Sequence, residues 1–205
     1  MTALRIATVV ALAFVSFGCS YQQVPFLDYS PGRGVDLPAP PPDKAQVIFF
    51  LWIARTGENL VLFDGEERIG ILRYVTWTSR LVEPGEHRFG VVSLENADFT
   101  VGDLEGGRTY ILEAQDIFPT YRFRLEPVGP DETHTGTPIR NILAGSFRVD
   151  ENAQAAAWLA RQDRRIRDLY DRYLEKWLTK PVDERRTITP DLAIEGPVRY
   201  VPPSD

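Results

Sequence analysis

From Ala45 to Val128, turn-forming residues interrupt the chain about every eight to twelve residues, and the pieces between them are rich in β-branched and aromatic side chains. That spacing is the pattern of a sandwich or barrel. Strands are expected near 45–54, 59–63, 67–73, 74–82, 86–94, 97–103, 108–115 and 120–128. Alternation assigns faces within them: Tyr121, Phe123 and Leu125 alternate with Arg122 and Arg124, and Phe89 and Val91 share a face with His87. The run VIFFLWI at 47–53 does not alternate, which suits a central strand covered on both sides. Asp64-Gly65 fits a tight hairpin, Pro84-Gly85 a type II turn, and Gly106-Gly107 a further turn. These glycines are structural, because no glycine-rich pattern leads into a helix as a phosphate loop requires.

The expected fold is therefore mainly β: a seven- to eight-stranded antiparallel β-sandwich, Ig-like or PEGA-like, over 45–128. A long C-terminal α-helix and a Pro-rich tail follow it. Over this segment the order Val61-Leu-Phe-Asp-Gly-x-x-x-Ile-Gly70, Glu83-Pro-Gly-Glu-His87 and Gly106-Gly-Arg-Thr-Tyr110-Ile-Leu resembles the small β-sandwich domains of bacterial lipoproteins of unknown function. It is also similar to the PEGA-type sandwich modules of bacterial surface proteins. The resemblance implies a non-catalytic module of the cell envelope and supplies no catalytic residues.

The start of the chain points to the same compartment. One cation, Arg5, precedes an uncharged and mainly apolar run from Ile6 to Phe17, then Gly18 and Cys19. This is the layout of a secretion signal over 1–18, and its apolar run is short of the roughly 20 residues a membrane-spanning helix needs. Gly18-Cys19 resembles the lipobox of bacterial lipoproteins, with Ser16 and Phe17 departing from its usual residues. Cys19 is thus the expected lipidation site; the alternative is a free thiol in a signal removed upstream or retained. It is also the single cysteine of the 205 residues, so it can form no intrachain disulfide and no zinc-binding cysteine cluster. Ser20 stands where an inner-membrane lipoprotein often carries Asp, so the expected address is the outer membrane, facing the periplasm.

Residues 19–44 carry Pro25, Pro31-Gly32 and the run Pro38-Ala-Pro-Pro-Pro42, which suits an extended tether or a segment packed on the domain through Phe26 and Tyr29. Residues 129–149 read as an irregular connection with a short strand at 146–149. A helix is expected at 150–180, with Asp150 as N-cap and Pro181 limiting its end. Its apolar stripe includes Leu159, Ile166, Leu169, Tyr173 and Trp177, a candidate interaction face that needs either its own sandwich or a partner. Residues 181–205 are expected to be mobile or laid along the surface.

Catalytic signals are sparse. His87 follows the Pro84-Gly85 turn and reads as turn-closing; His134 sits in a Thr-rich loop and reads as solvated. Glu66-Glu67, Asp131-Glu132 and Asp183-Glu184 are adjacent acids in loops, where hydration is their ordinary fate. Trp52 reads as core, and Trp77, among polar neighbours, as the better exposed contact. No enzyme activity, metal or cofactor is expected. The net charge of −6 disfavours nucleic acid. The leading reading is a structural or interaction protein, anchored to a membrane by N-terminal lipid. It would bind another envelope protein or the cell wall, or self-associate through the helix. The alternative is a lipid- or peptide-binding module with an apolar cleft between sandwich and helix, and an unrecognised hydrolase is a distant third.

Overall fold

The computed structural model describes residues 27–31, 36–52, 54, 57–120, 122–129 and 138–199. In chain order these form β1 (Leu27–Pro31), β2 (Asp36–Leu37), β3 (Ala45–Leu51), β4 (Leu60–Asp64), β5 (Glu67–Leu72), β6 (Thr76–Val82) and β7 (Gly85–Val92). There follow β8 (Ala97–Leu104), β9 (Arg108–Ile117), β10 (Arg122–Val128), α1 (Ile139–Gly145), β11 (Phe147–Glu151) and α2 (Ala153–Leu178). The chain ends in β12 (Thr187–Ile188), β13 (Ile194–Glu195) and β14 (Val198–Arg199). All eight strands expected from 45–128 are present. The sixth strand begins at Thr76, not Tyr74, because Tyr74 and Val75 make the turn, with Val75 at a φ of 57°.

The strands form a 7-stranded sheet, ordered β1-β11-β6-β3-β9-β10 with β13 on β9, and a 5-stranded sheet, ordered β12-β8-β7-β4-β5. The expected antiparallel sandwich is corrected here, since both sheets are mixed. β3 is antiparallel to β6 but parallel to β9, and β11 on β6 and β12 on β8 are parallel as well. The physical reason is order: β9 reaches β3 only after the chain has built most of the other sheet, so no hairpin fixes its direction. The strand count also exceeds the expected seven or eight, because segments flanking 45–128 contribute strands to both sheets.

Alternation becomes layering. Val47, Phe49 and Leu51 of β3 point between the sheets, with Leu62, Phe89, Tyr110 and Leu125. Ile48 and Phe50 point outward, under Ile139, Ile142 and Leu143 of α1. The non-alternating run therefore belongs to a strand buried on both faces. The 5-stranded sheet has a second covered face too, where Val61, Phe63, Val92 and Phe99 meet α2. Trp77, expected as an exposed contact, is only 2 % exposed: it lies in the α1 layer with Arg148 over its ring, and polar neighbours in sequence concealed that cover. Trp52 is partly buried against the same layer.

Three segment readings change. From Leu27 onward the stretch is packed on the domain, the second of its two readings, and is no free tether, since β1 pairs along β11 and β2 pairs with β14; Phe26 lies outside the described residues. The connection 129–149 contains α1, followed by β11. Helix α2 is capped by Asn152, whose side chain accepts from the Gln154 and Ala155 amides, because Asp150 is held in β11. The C-terminal stretch is laid along the surface through residue 199, adding β12 to one sheet and β13 to the other. Gly102 makes the first of these possible, since a Cβ there would lie 2.5 Å from the Ile188 Cβ.

Side chains finish the β10 edge. The Phe123 amide donates to Asn96 Oδ1 at 3.0 Å, and Asn96 Nδ2 donates to the Phe123 carbonyl at 2.9 Å. The Leu125 amide donates to Asp98 Oδ2 at 2.9 Å, and Arg186 Nε donates to the Leu125 carbonyl at 3.0 Å. An edge satisfied in this way offers no template for a further strand.

Candidate functional site

His87 is the histidine that the described residues contain, and its environment decides what it can do. Its Nδ1 meets both Asp64 oxygens at 2.8 and 3.0 Å, its Nε2 meets the Glu83 carbonyl at 2.7 Å, and its ring stacks on Phe89. Both partners are acceptors, so both ring nitrogens donate in the fully bonded state, and no lone pair is left for a metal or a proton. The Asp64 hydrogen bond holds the His87 pKa above its ordinary 6.5, against the opposing effect of burial. The clip ties the β4–β5 turn to the start of β7.

A pKa raised in the folded state makes the clip pH-dependent. Its contribution is fully present below the unfolded value near 6.5 and is lost as pH rises through the raised folded value. His87→Gln is expected to cost about 1 kcal/mol at pH 5.5 and much less at pH 9, for a partly buried charge-assisted pair. Urea unfolding of both proteins at the two pH values checks this; an equal cost at both would remove the charged clip.

Cys19 and His134 lie outside the described residues. Glu66, Glu67, Asp183 and Glu184 are exposed, and Asp131 and Glu132 also lie outside the described residues. Among the described residues no group of three His, Cys, Asp or Glu side chains is arranged to hold a metal ion. Sequence reasoning missed Glu58, whose carboxyl is pushed up by burial and then by the negative charges of Glu95 and Asp116. It sits in the irregular segment before β4, and nothing local marks it: its neighbours are distant in sequence, Glu95 between β7 and β8, Asp116 in β9 and Arg165 in α2.

The helical stripe is spent inside the chain. Leu159, Ile166, Leu169 and Trp177 are buried against the 5-stranded sheet, and Tyr173 is partly buried beside them. Tyr170, between them, packs on Phe63 and Phe99 at ring distances of 4.8 and 5.1 Å and donates to the Gly65 carbonyl. Arg165 reaches the Leu94 carbonyl at 2.8 Å, and the Tyr173 hydroxyl donates to the Glu95 carbonyl at 3.2 Å. Of the two readings of the stripe, its own sandwich or a partner, the fold takes the first: its own sheet covers it, because Val61, Phe63, Val92 and Phe99 present an apolar face of their own.

Two grooves lie on either side of Trp177. A groove of about 400 Å³ runs between β10 and the C-terminal half of α2, with Arg122, Arg124, Tyr173, Lys176 and Lys180 along it. A wider one of about 740 Å³ lies over β7 and β8, where Leu178 and Val182 are exposed near Arg88, Arg185, Glu86 and Asp103. Neither groove combines a nucleophile, a base with a free lone pair and an anion-stabilising pair, the minimum for covalent catalysis. Compared with known protein families, with characterised proteins and with solved structures, this chain has no significant match to any of them.

Proposed function

We propose that this chain is a lipid-anchored, non-catalytic interaction module of the bacterial envelope, held on the outer membrane through Cys19 and facing the periplasm. The observation that carries the reading is the signal layout ending in Gly18-Cys19, with the first described strand at Leu27. About eight residues separate the two, a reach of at most roughly 29 Å when fully extended. A strand that close in sequence to the anchor stays near the surface that holds it. Its partners are another envelope protein or the cell wall.

The alternative of an apolar cleft between sandwich and helix, for a lipid or peptide, finds less support. That interface is filled by Phe63, Phe99, Leu159, Ile166 and Leu169, all 7 % exposed or less. Binding at the surface fits the packing better than storage of a ligand inside.

The test is Cys19→Ser in the full-length chain. The expected result is loss of acyl-lipid labelling and a shift from the membrane fraction to a soluble or unprocessed form, since acyl chains contribute about 0.8 kcal/mol per buried CH₂. Labelling that persists in the substituted protein would overturn the anchor, and with it the envelope reading.

A further inference from the structure

We infer that the groove between β10 and the C-terminal half of α2 is a binding site for a phosphate-bearing ligand. The inference goes beyond the envelope reading and does not depend on lipid at Cys19.

The chain carries a net charge of −6, yet four cations border this one groove without an acidic partner. Arg122 and Arg124 stand on the exposed side of β10, Lys176 is exposed on α2, and Lys180 follows the helix end. None of the four is within ion-pair distance of a carboxylate among the described residues; the recorded contact of Lys176 is with the Tyr173 ring, at 5.1 Å. The acid in the groove, Asp98, is already held by Arg186.

Lysines in a last helical turn ordinarily serve the helix's own unpaired carbonyls. Here those carbonyls are taken. Arg185 donates to the Leu178 and Lys180 carbonyls at 2.7 and 3.1 Å, the Thr179 hydroxyl donates to the Lys176 carbonyl at 2.7 Å, and the Lys180 amide donates to the Trp177 carbonyl at 3.1 Å. Lys176 and Lys180 are thus left to the groove.

Two guanidiniums offer planar forks that match phosphate oxygens, and two ammonium groups add point charges. A phosphate monoester carries about −1.5 to −2 near pH 7, so two phosphoryl groups balance the four cations where single carboxylates would not. The overall acidity of the chain does not oppose this, because beyond about 10 Å exposed charges are screened at 0.1 M salt.

The experiment titrates the purified full chain with pyrophosphate and with citrate by calorimetry. Arg122→Gln/Arg124→Gln and Lys176→Gln/Lys180→Gln are run beside an Arg161→Gln/Arg164→Gln control on the exposed side of α2. Saturable pyrophosphate binding is expected, weakened about tenfold or more by either groove pair and unchanged by the control. Melting temperatures should match throughout, since the substituted side chains are at the surface. A second arm compares neutral phosphatidylcholine vesicles with vesicles containing phosphatidic acid and reads only the difference between parent and groove variants, to which any anchor contributes equally. A groove-dependent preference for phosphatidic acid assigns the site to a lipid headgroup; pyrophosphate binding without it assigns a soluble phosphorylated ligand. Absence of saturable binding, equal binding of citrate, or equal loss in the control would overturn the inference.

Discussion

Ile166→Asp combined with Leu169→Asp is expected to lower the melting temperature by about 15 °C or more, or to leave the chain unfolded at 25 °C. Both side chains are buried, at 3 % and 7 % exposure, in the layer between α2 and the 5-stranded sheet. Burial of each contributes about 1.5–3 kcal/mol, and placing two carboxylates there costs several kcal/mol more unless they protonate. That total approaches the whole stability of an ordinary domain, about 5–15 kcal/mol. The exposed face of the same helix supplies no compensation. Arg167 pairs with Asp163 at 3.1 Å and Arg164 with Asp168 at 4.0 Å, in contacts worth only about 0.3–0.5 kcal/mol each. Far-UV and near-UV circular dichroism during a melt would follow the loss. A double variant that melts within a few degrees of the parent would mean that α2 does not hold this sheet.

Much of this layer was legible in the sequence, and the reasons are specific. Leu159, Ile166 and Leu169 repeat at helical spacing, and over a helix of 26 residues that period is unambiguous. The eight strands of the central segment were legible because each is long enough to show its alternation or its turn. What the stripe packs against was not legible, since a period reports which face is apolar and not what covers it. Trp77 was misread for a related reason: Thr76, Thr78 and Ser79 are polar, while its cover comes from α1 and Arg148, some seventy residues away. Strand direction was equally hidden, because the alternation of β9 would be the same whether it ran parallel or antiparallel to β3. β2, β12, β13 and β14 have 2 residues each, too few for any period.

The candidate site was less legible than the fold. His87 was placed correctly at a turn, but its partner Asp64 is 23 residues away and marked only as a hairpin residue. Arg122 and Arg124 are the wetted half of an alternating strand. Their meeting with Lys176 and Lys180 follows from β10 being an edge strand and from α2 packing on the face of the other sheet. Neither is written in any local pattern. A groove made from the outward residues of two elements is assembled late, by tertiary packing, from side chains whose local context says only that they are exposed.

The same edge supports the last expected result. Arg186→Met should lower the melting temperature by about 5–15 °C and make the protein associate as its concentration rises. The Arg186 side chain is 21 % exposed and its partner Asp98 is 13 % exposed, so the pair is largely out of water. Its Nε also donates to the Leu125 carbonyl at 3.0 Å and lies 3.5 Å from Glu126. Methionine keeps much of the apolar stem and removes every one of these contacts. Asp98 loses its ion pair while partly buried, and a β10 carbonyl loses its donor at the edge. Removing one member of a buried pair costs about 3–5 kcal/mol, reduced here to about 2–4 by the residual exposure. The main-chain contacts of residue 186, its carbonyl accepting from the Val101 amide and the Thr100 hydroxyl, survive the change, so β12 should stay docked and the loss belongs to the side chain. Asp98→Asn separates the charge from the edge cap, because an amide oxygen can still accept from the Leu125 amide. Combined with Arg186→Met it should recover at least about 1 kcal/mol relative to the sum of the two single changes, the coupling expected of partners in contact. Additive losses would show that the pair contributes nothing as a pair. A melting temperature for Arg186→Met within about 2 °C of the parent, with no rise in association by light scattering, would show that β10 needs no such cover.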